Sequence, residues 1–146
     1  MACQGQHLAG QRKKIDVTLN PGNRAWAGRA PVLMASAYRT RFTRNDKPNR
    51  VALRDLGAAE ENLCLQAFAE GLVVHQMAGF DQDRLKDELL PEGFEPGDMI
   101  AVGYPGDPEL LEAKLREREA RPRSRRPTAE FVFGAEWGEA AGCLER

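Results

Sequence analysis

Histidine and cysteine are scarce in this chain of 146 residues, and the shortage excludes several chemistries at once. Only His7 and His75 occur, far apart, and they give a zinc site little support. No metal is therefore expected, and no Ser/His/Asp or Cys/His arrangement is available for nucleophilic catalysis. The cysteines are Cys3, Cys64 and Cys143; an odd number at wide spacing argues against a disulfide framework and fits a reducing, cytoplasmic setting. Long apolar runs are also absent, and nothing approaches the roughly 20 residues that a membrane helix needs. The start of the chain is polar and carries Lys13 and Lys14 with no apolar stretch behind them, so no secretory signal is expected. An excess of either charge is missing too: 21 basic residues face 22 acidic ones, which leaves no global field toward nucleic acid or a membrane surface. No GxGxxG follows a strand, and the Gly103–Asp107 turn lacks the Lys-Ser/Thr of a phosphate loop.

What is present is ordinary for a globular domain, with 42% hydrophobic and 29% charged residues. Residues 1–22 show little periodicity and read as an unmatched, flexible lead-in; a strand-like alternation at Ile15–Leu19 is broken by Asn20-Pro21-Gly22. Val32-Leu33-Met34-Ala35 after Pro31 predicts a buried strand, and Arg39 to Asn49 a basic loop. Asn49 to Gly71 predicts a long helix, with Asn49 as its N-cap and Gly71 as its stop. Its apolar residues cover most angles, so it is either the centre of a core or half of a subunit interface, with Cys64 a buried thiol. Leu72-Val73-Val74 predicts a short strand before the turn at Ala78-Gly79. Asp81 caps a second helix that ends before Pro91. Met99 to Val102 reads as a strand, Pro108 to Arg118 as a charged helix, Ala120 to Pro127 as an extended basic stretch, and Glu130 to Phe133 as a last strand or arm. Strands alternating with helices give an α+β (α/β) domain, here spanning residues 23–138, with 139–146 as a C-terminal tail.

Two places could carry chemistry. The turn Gln76-Met77-Ala78-Gly79 could bring backbone amides close to a flat ligand, or be a plain strand-to-helix turn capped by Asp81. Arg123 and Arg125, one residue apart in an extended stretch, could hold a phosphate, or be a solvated surface. Glu117 and Glu119 among these arginines argue against a nucleic-acid patch.

An ordered series of short segments decides between these readings. It runs through Asn23-Arg24-Ala25-Trp26-Ala27, Ala30-Pro31-Val32-Leu33, Asp55-Leu56-Gly57-Ala58-Ala59-Glu60-Glu61-Asn62-Leu63 and His75-Gln76-Met77-Ala78-Gly79-Phe80-Asp81. Ile100 to Asp107, Arg121 to Pro127 and Phe131-Val132-Phe133 with Trp137-Gly138 complete it. In this order and spacing the chain resembles the nitroreductase family of FMN-dependent NAD(P)H oxidoreductases from Asn23 to about Gly138. The resemblance implies a central β-sheet flanked by helices, and a long central helix in a homodimer interface with FMN bound between subunits. It implies FMN contacts at Gln76, Ala78, Gly79, Arg123 and Arg125, and no catalytic side chain. NAD(P)H would be the electron donor, and a nitroaromatic, quinone or similar small molecule the acceptor. Family members normally begin with an Arg-Arg-Ser-x-Arg type segment and an Asn-x-Gln-Pro-Trp type segment, and neither occurs here. The expectation is thus a subunit lacking the family's N-terminal part: an oxidoreductase with an incomplete flavin site, or a non-catalytic remnant that serves as a dimerising module.

Overall fold

The computed structural model of the chain describes residues 13–144. They divide into two compact units, one ending at Gly106 and the other beginning at Asp107, a boundary inside the stretch expected to be one domain.

The first unit is built on a three-stranded antiparallel sheet in the order β1-β3-β2, with β1 at Val32–Arg39, β2 at Val73–Met77 and β3 at Phe94–Gly103. Both pairings being antiparallel, the fold is α+β. β3 is the centre strand, and it pairs Ile100 with Met34 on one edge and Gln76 on the other. Alternation then sorts the side chains onto two faces. Leu33, Met77, Met99 and Ala101 form one buried cluster together with Leu19 and Ala27, while Ile15, Trp26 and Phe80 pack around it. The lead-in therefore differs from its expected form. Residues 13–16 are helical rather than strand-like, and Thr18 and Leu19 are buried, because the sheet needs an apolar cover on this face. The earlier part of the lead-in, residues 1–12, lies outside the described residues.

Helix α1, Pro21–Ala27, follows directly. Asn20 caps it by accepting from the Asn23 N–H at 2.8 Å, and Pro21 takes a first-turn position where its missing N–H is not needed. The opposite face of the sheet is covered by α2, Ala52–Ala69, which packs against all three strands. Ala52 and Ala67 are buried, Leu56, Glu60 and Leu63 half-buried, so the seam recurs at helical spacing. The rest of this helix is not enclosed by its own chain: Leu53 is 64%, Leu65 60% and Phe68 80% exposed. Asn49 is not its cap. Val51 occupies the cap position without a side-chain bond, and Asn49 instead ties the preceding loop to β1, donating its N–H to the Thr40 carbonyl at 2.7 Å. Gly71 does turn the chain after the helix, with φ at +73°. β2 begins at Val73 and reaches Met77, so Gln76 lies in the strand and not in the turn. Helix α3, Gln82–Leu89, is capped as expected, with Asp81 accepting from the Arg84 N–H at 3.0 Å, and Leu85 is its fully buried anchor.

The second unit holds α4 at Ala113–Glu119 and 3-10 turns at Pro108–Leu110, Thr128–Glu130 and Gly142–Leu144. The single helix expected over Pro108 to Arg118 is split, because Asp107 caps only the first turn and Leu111 is extended. In place of a strand over Glu130 to Phe133 there is a 3-10 turn and an isolated bridge from Phe133 to Ala140. Phe133 meets Trp137 edge to face, with ring centroids 4.9 Å apart.

Two local features yield measurable outcomes. The register of β1 against β3 shifts between Ala35 and Ala37, and Ser36 spans the irregularity, accepting from the Asp98 N–H at 2.7 Å. A Cβ on Gly97 would lie 2.3 Å from the Ser36 hydroxyl and 2.5 Å from Leu56. Gly97→Ala is expected to lower stability by about 1–3 kcal/mol, read as a fall in the urea midpoint with unchanged slope. Cys64 is half-buried rather than buried, with Gln76 Nε2 3.6 Å from its sulfur. Desolvation first, then Glu61 and Glu60, pushes its thiol pKa up. A raised thiol pKa contributes stability that is complete below the ordinary thiol value and disappears as pH rises through the folded one. Near neutral pH, peptide mapping after iodoacetamide treatment should show Cys64 alkylated more slowly than the exposed Cys143.

Candidate functional site

The end of β2 carries the candidate site. Ala78 is exposed and Gly79 half-buried in a tight turn, where the Phe80 N–H donates to the Ala78 carbonyl at 3.1 Å. Gly79 is thus the middle residue of a three-residue turn. Its glycine identity has a cause within the protein itself. A Cβ there would lie 2.4 Å from the Asn20 side-chain nitrogen and 2.6 Å from that of Asn23. The neighbours that demand glycine belong to the protein itself.

Both asparagines serve this turn. The Gly79 carbonyl accepts from the Asn20 N–H at 3.1 Å and from Asn23 Nδ2 at 3.0 Å. On the following residues Leu19 bridges Phe80, and the Asp81 N–H donates to the Thr18 carbonyl at 2.8 Å. The segment Thr18–Asn23 therefore clamps Gly79–Asp81 along its length. With the carbonyl side so occupied, the N–H groups of Ala78 and Gly79 donate to no acceptor among the described residues. Backbone donors left open at a structured turn can meet developing negative charge without rearrangement.

Gln76 stands two residues away on β2, exposed, with its amide against Cys64 on the α2 side of the sheet. His75, on the other face, meets Trp26 edge to face at 4.7 Å. The structure brings together Gln76, Ala78 and Gly79. Sequence reasoning missed Asn20 and Asn23 as partners of this turn. Asn-Pro at 20–21 was a legible helix-cap signal, but the reach of the Asn23 side chain across 56 residues to Gly79 is a tertiary fact.

Arg123 and Arg125 belong to the second unit, in a segment without regular structure. Around them Arg116 pairs with Glu109, Arg121 with Glu117 at 2.7 Å, and Arg126 with Glu130 at 3.2 Å. Arg123 and Arg125 pair with no carboxylate among the described residues, and Arg125 bonds only the neighbouring Ser124 carbonyl at 2.8 Å. Their charge is available to an anion. No group of His, Cys, Asp and Glu among the described residues could hold a metal ion, and no helix among them is long and apolar enough to cross a membrane. A shallow depression lined by Lys86, Leu90, Phe94 and Glu95 is a weaker candidate, because Glu95 bonds Lys86 at 2.7 Å and raises its pKa.

Comparison with known proteins bears on these arrangements. The pattern of the Nitroreductase family matches residues 2–104. That match takes in the lead-in expected to be unmatched, and it stops before Arg123 and Arg125. An uncharacterized 15.4 kDa protein in the ask 5' region of Mycolicibacterium smegmatis is 35% identical over 94 residues, 64% of either chain. A crystal structure of an oxidoreductase containing FMN is 31% identical with a TM-score of 0.80, covering 87% of this chain and 66% of that one. This chain thus spans slightly less than two thirds of either relative. A nitroreductase family protein from Streptococcus pneumoniae TIGR4 shares the fold at 19% identity and a TM-score of 0.61, over 84% of this chain and 75% of that one. A structure from Parabacteroides distasonis ATCC 8503, named for NADH dehydrogenase/NAD(P)H nitroreductase, gives 19% and 0.59, over 88% and 68%. With the family pattern covering most of the sheet unit, the chain belongs to the nitroreductase family.

Proposed function

We propose that this chain is an FMN-dependent oxidoreductase that draws electrons from NAD(P)H and delivers them to a nitroaromatic, quinone or similar small acceptor. The observation that carries the proposal is the pair of open amides at Ala78 and Gly79, held in a clamped turn at the end of β2. Those donors fit the electron-rich edge of an isoalloxazine ring, where negative charge accumulates on reduction. FMN, when bound, would supply the electron-carrying chemistry. The 31% identical oxidoreductase contains FMN, which supports the cofactor.

The chain's own contribution is binding and orientation. The Ala78 and Gly79 amides would hold the ring edge, and Gln76 would approach it from β2. In the second unit, Arg123 and Arg125 are suited to a phosphate through charge-assisted bonds that no local carboxylate contests. No side-chain acid, base or nucleophile is needed, and the turn presents none. Purified protein is expected to turn yellow with FMN and to melt at higher temperature in its presence. A colourless protein whose melting temperature ignores FMN would overturn the reading. Replacing both Arg123 and Arg125 with Ala should weaken FMN binding about tenfold or more, yet leave riboflavin binding unchanged, as titrations followed by fluorescence quenching would show.

The same reading includes a homodimer formed through α2. Leu53, Gly57, Leu65 and Phe68 share one face of the helix, and no neighbour lies within 4 Å of a Cβ built on Gly57. Small and apolar residues together suit the close approach of an identical helix. Sedimentation of the wild-type protein should give a dimer, and Phe68→Glu a folded monomer. A monomeric wild type at micromolar concentration would count against this interface.

A further inference from the structure

The turn at Gly79 holds more than two open amides, because its peptide groups are connected in series. The peptide joining Gly79 to Phe80 accepts twice at its carbonyl, from the Asn20 N–H at 3.1 Å and from Asn23 Nδ2 at 3.0 Å. The same peptide donates through the Phe80 N–H to the Ala78 carbonyl at 3.1 Å. That carbonyl belongs to the peptide whose other end is the open Gly79 N–H. Each donation draws electron density toward the asparagines, and each accepting peptide becomes a stronger donor at its nitrogen. The Gly79 N–H is the terminus of this relay.

From this series we infer that Asn23 is a positioning residue for the flavin site, fixing the Gly79 turn and strengthening the Gly79 N–H as a donor to bound FMN. The inference rests on the proposed flavin reading. Asn23 is the separable member of the pair. Asn20 also caps α1 through its side chain, accepting from the Asn23 N–H at 2.8 Å, and its contribution to Gly79 comes from the backbone. The Asn23 side chain makes a bond across 56 residues, to Gly79. The close packing agrees with this role, since the Cβ position of Gly79 is filled by the two asparagine side chains, and any other residue at 79 would push the relay apart.

The test compares wild type with Asn23→Asp, which keeps the shape but sets an acceptor against the Gly79 carbonyl, and with Asn23→Ala, which removes the donor. In FMN-free protein labelled with nitrogen-15, both substitutions should move the Gly79 and Phe80 amide proton resonances upfield. On titration with FMN, both should raise the dissociation constant about fivefold, and the midpoint potential of the bound flavin should become more negative, because a weaker donor stabilises the reduced form less. A merely structural Asn23 would lower the melting temperature and leave the potential unchanged, and that result overturns the inference. Unchanged Gly79 and Phe80 resonances overturn it as well. Should the wild type take up no FMN, the flavin reading fails by itself. The resonances then report separately whether the relay exists, with upfield shifts upholding it and static positions removing it.

Discussion

β3 is hydrogen-bonded along both edges, and because successive residues of a strand face opposite ways, its sequence dictates what each face of the sheet must bury. Met99 and Ala101 face the cluster that Leu19 and Ala27 close, while the other face lies under α2. A three-stranded sheet of this kind has little stability without cover on both faces. The segment before β1 and the helix after it are thus required by one strand. The turn at the end of β2 inherits its position from the same requirement. Leu19 can fill the cluster only if the chain passes beside Phe80, and that path puts Asn20 and Asn23 against Gly79. Core packing and site geometry are two consequences of one chain path.

The two faces are covered unequally. The lead-in face is closed by large side chains, whereas α2 buries only Ala52 and Ala67 and leaves Leu53, Leu65 and Phe68 mostly in solvent. Burying a side chain of this size is worth roughly 1.5–3 kcal/mol, against a typical domain stability of about 5–15 kcal/mol. A second copy seated on that face would supply an appreciable share of the stability of the whole. The mixed composition of α2 fits the proposed dimer, in which the helix would have two partners. Its half-buried seam at Leu56, Glu60 and Leu63 faces the sheet, and its exposed apolar stripe faces outward. A helix serving one partner would carry one stripe and a polar back.

Legibility in the sequence followed the range of the forces involved. Helix α3 was plain because Asp81 caps it and Leu85 anchors it within a few residues, and the Val32 strand because Pro31 precedes an apolar run. The cap of α2 was misjudged because Asn49 is claimed by a distant carbonyl and the Thr40 loop, an assignment that no local pattern records. The lead-in was misjudged for the same reason: Ile15 to Leu19 alternate like a strand, but their place is set by the cluster they cover. The turn at Ala78 and Gly79 was recognised, though for a reason only partly physical. Gly79 was taken to admit a ligand, and the structure shows it first admits Asn20 and Asn23. The arginines divide similarly. Charge spacing marked Arg123 and Arg125, while only the structure shows that Arg116, Arg121 and Arg126 are spent on glutamates.

A site that works through backbone amides distributes its sequence requirements unusually. Any residue offers an N–H, so the donors at Ala78 and Gly79 place little demand on their own side chains beyond the space denied to one at Gly79. The demand shifts to whatever holds the turn: a hydrophobic residue at Leu19 to fix the path, Asn20 to start α1, and Asn23 to reach the Gly79 carbonyl. These residues touch no ligand edge in the proposed arrangement, yet the direction and strength of the amides depend on them. A search for acids, bases and nucleophiles passes over such a site, and a search for glycine finds only its centre. In the proposed arrangement Asn20 and Asn23 would specify the flavin site from an earlier segment of the chain, Asn23 from 56 residues away, and would carry more information than the residues that make the contact.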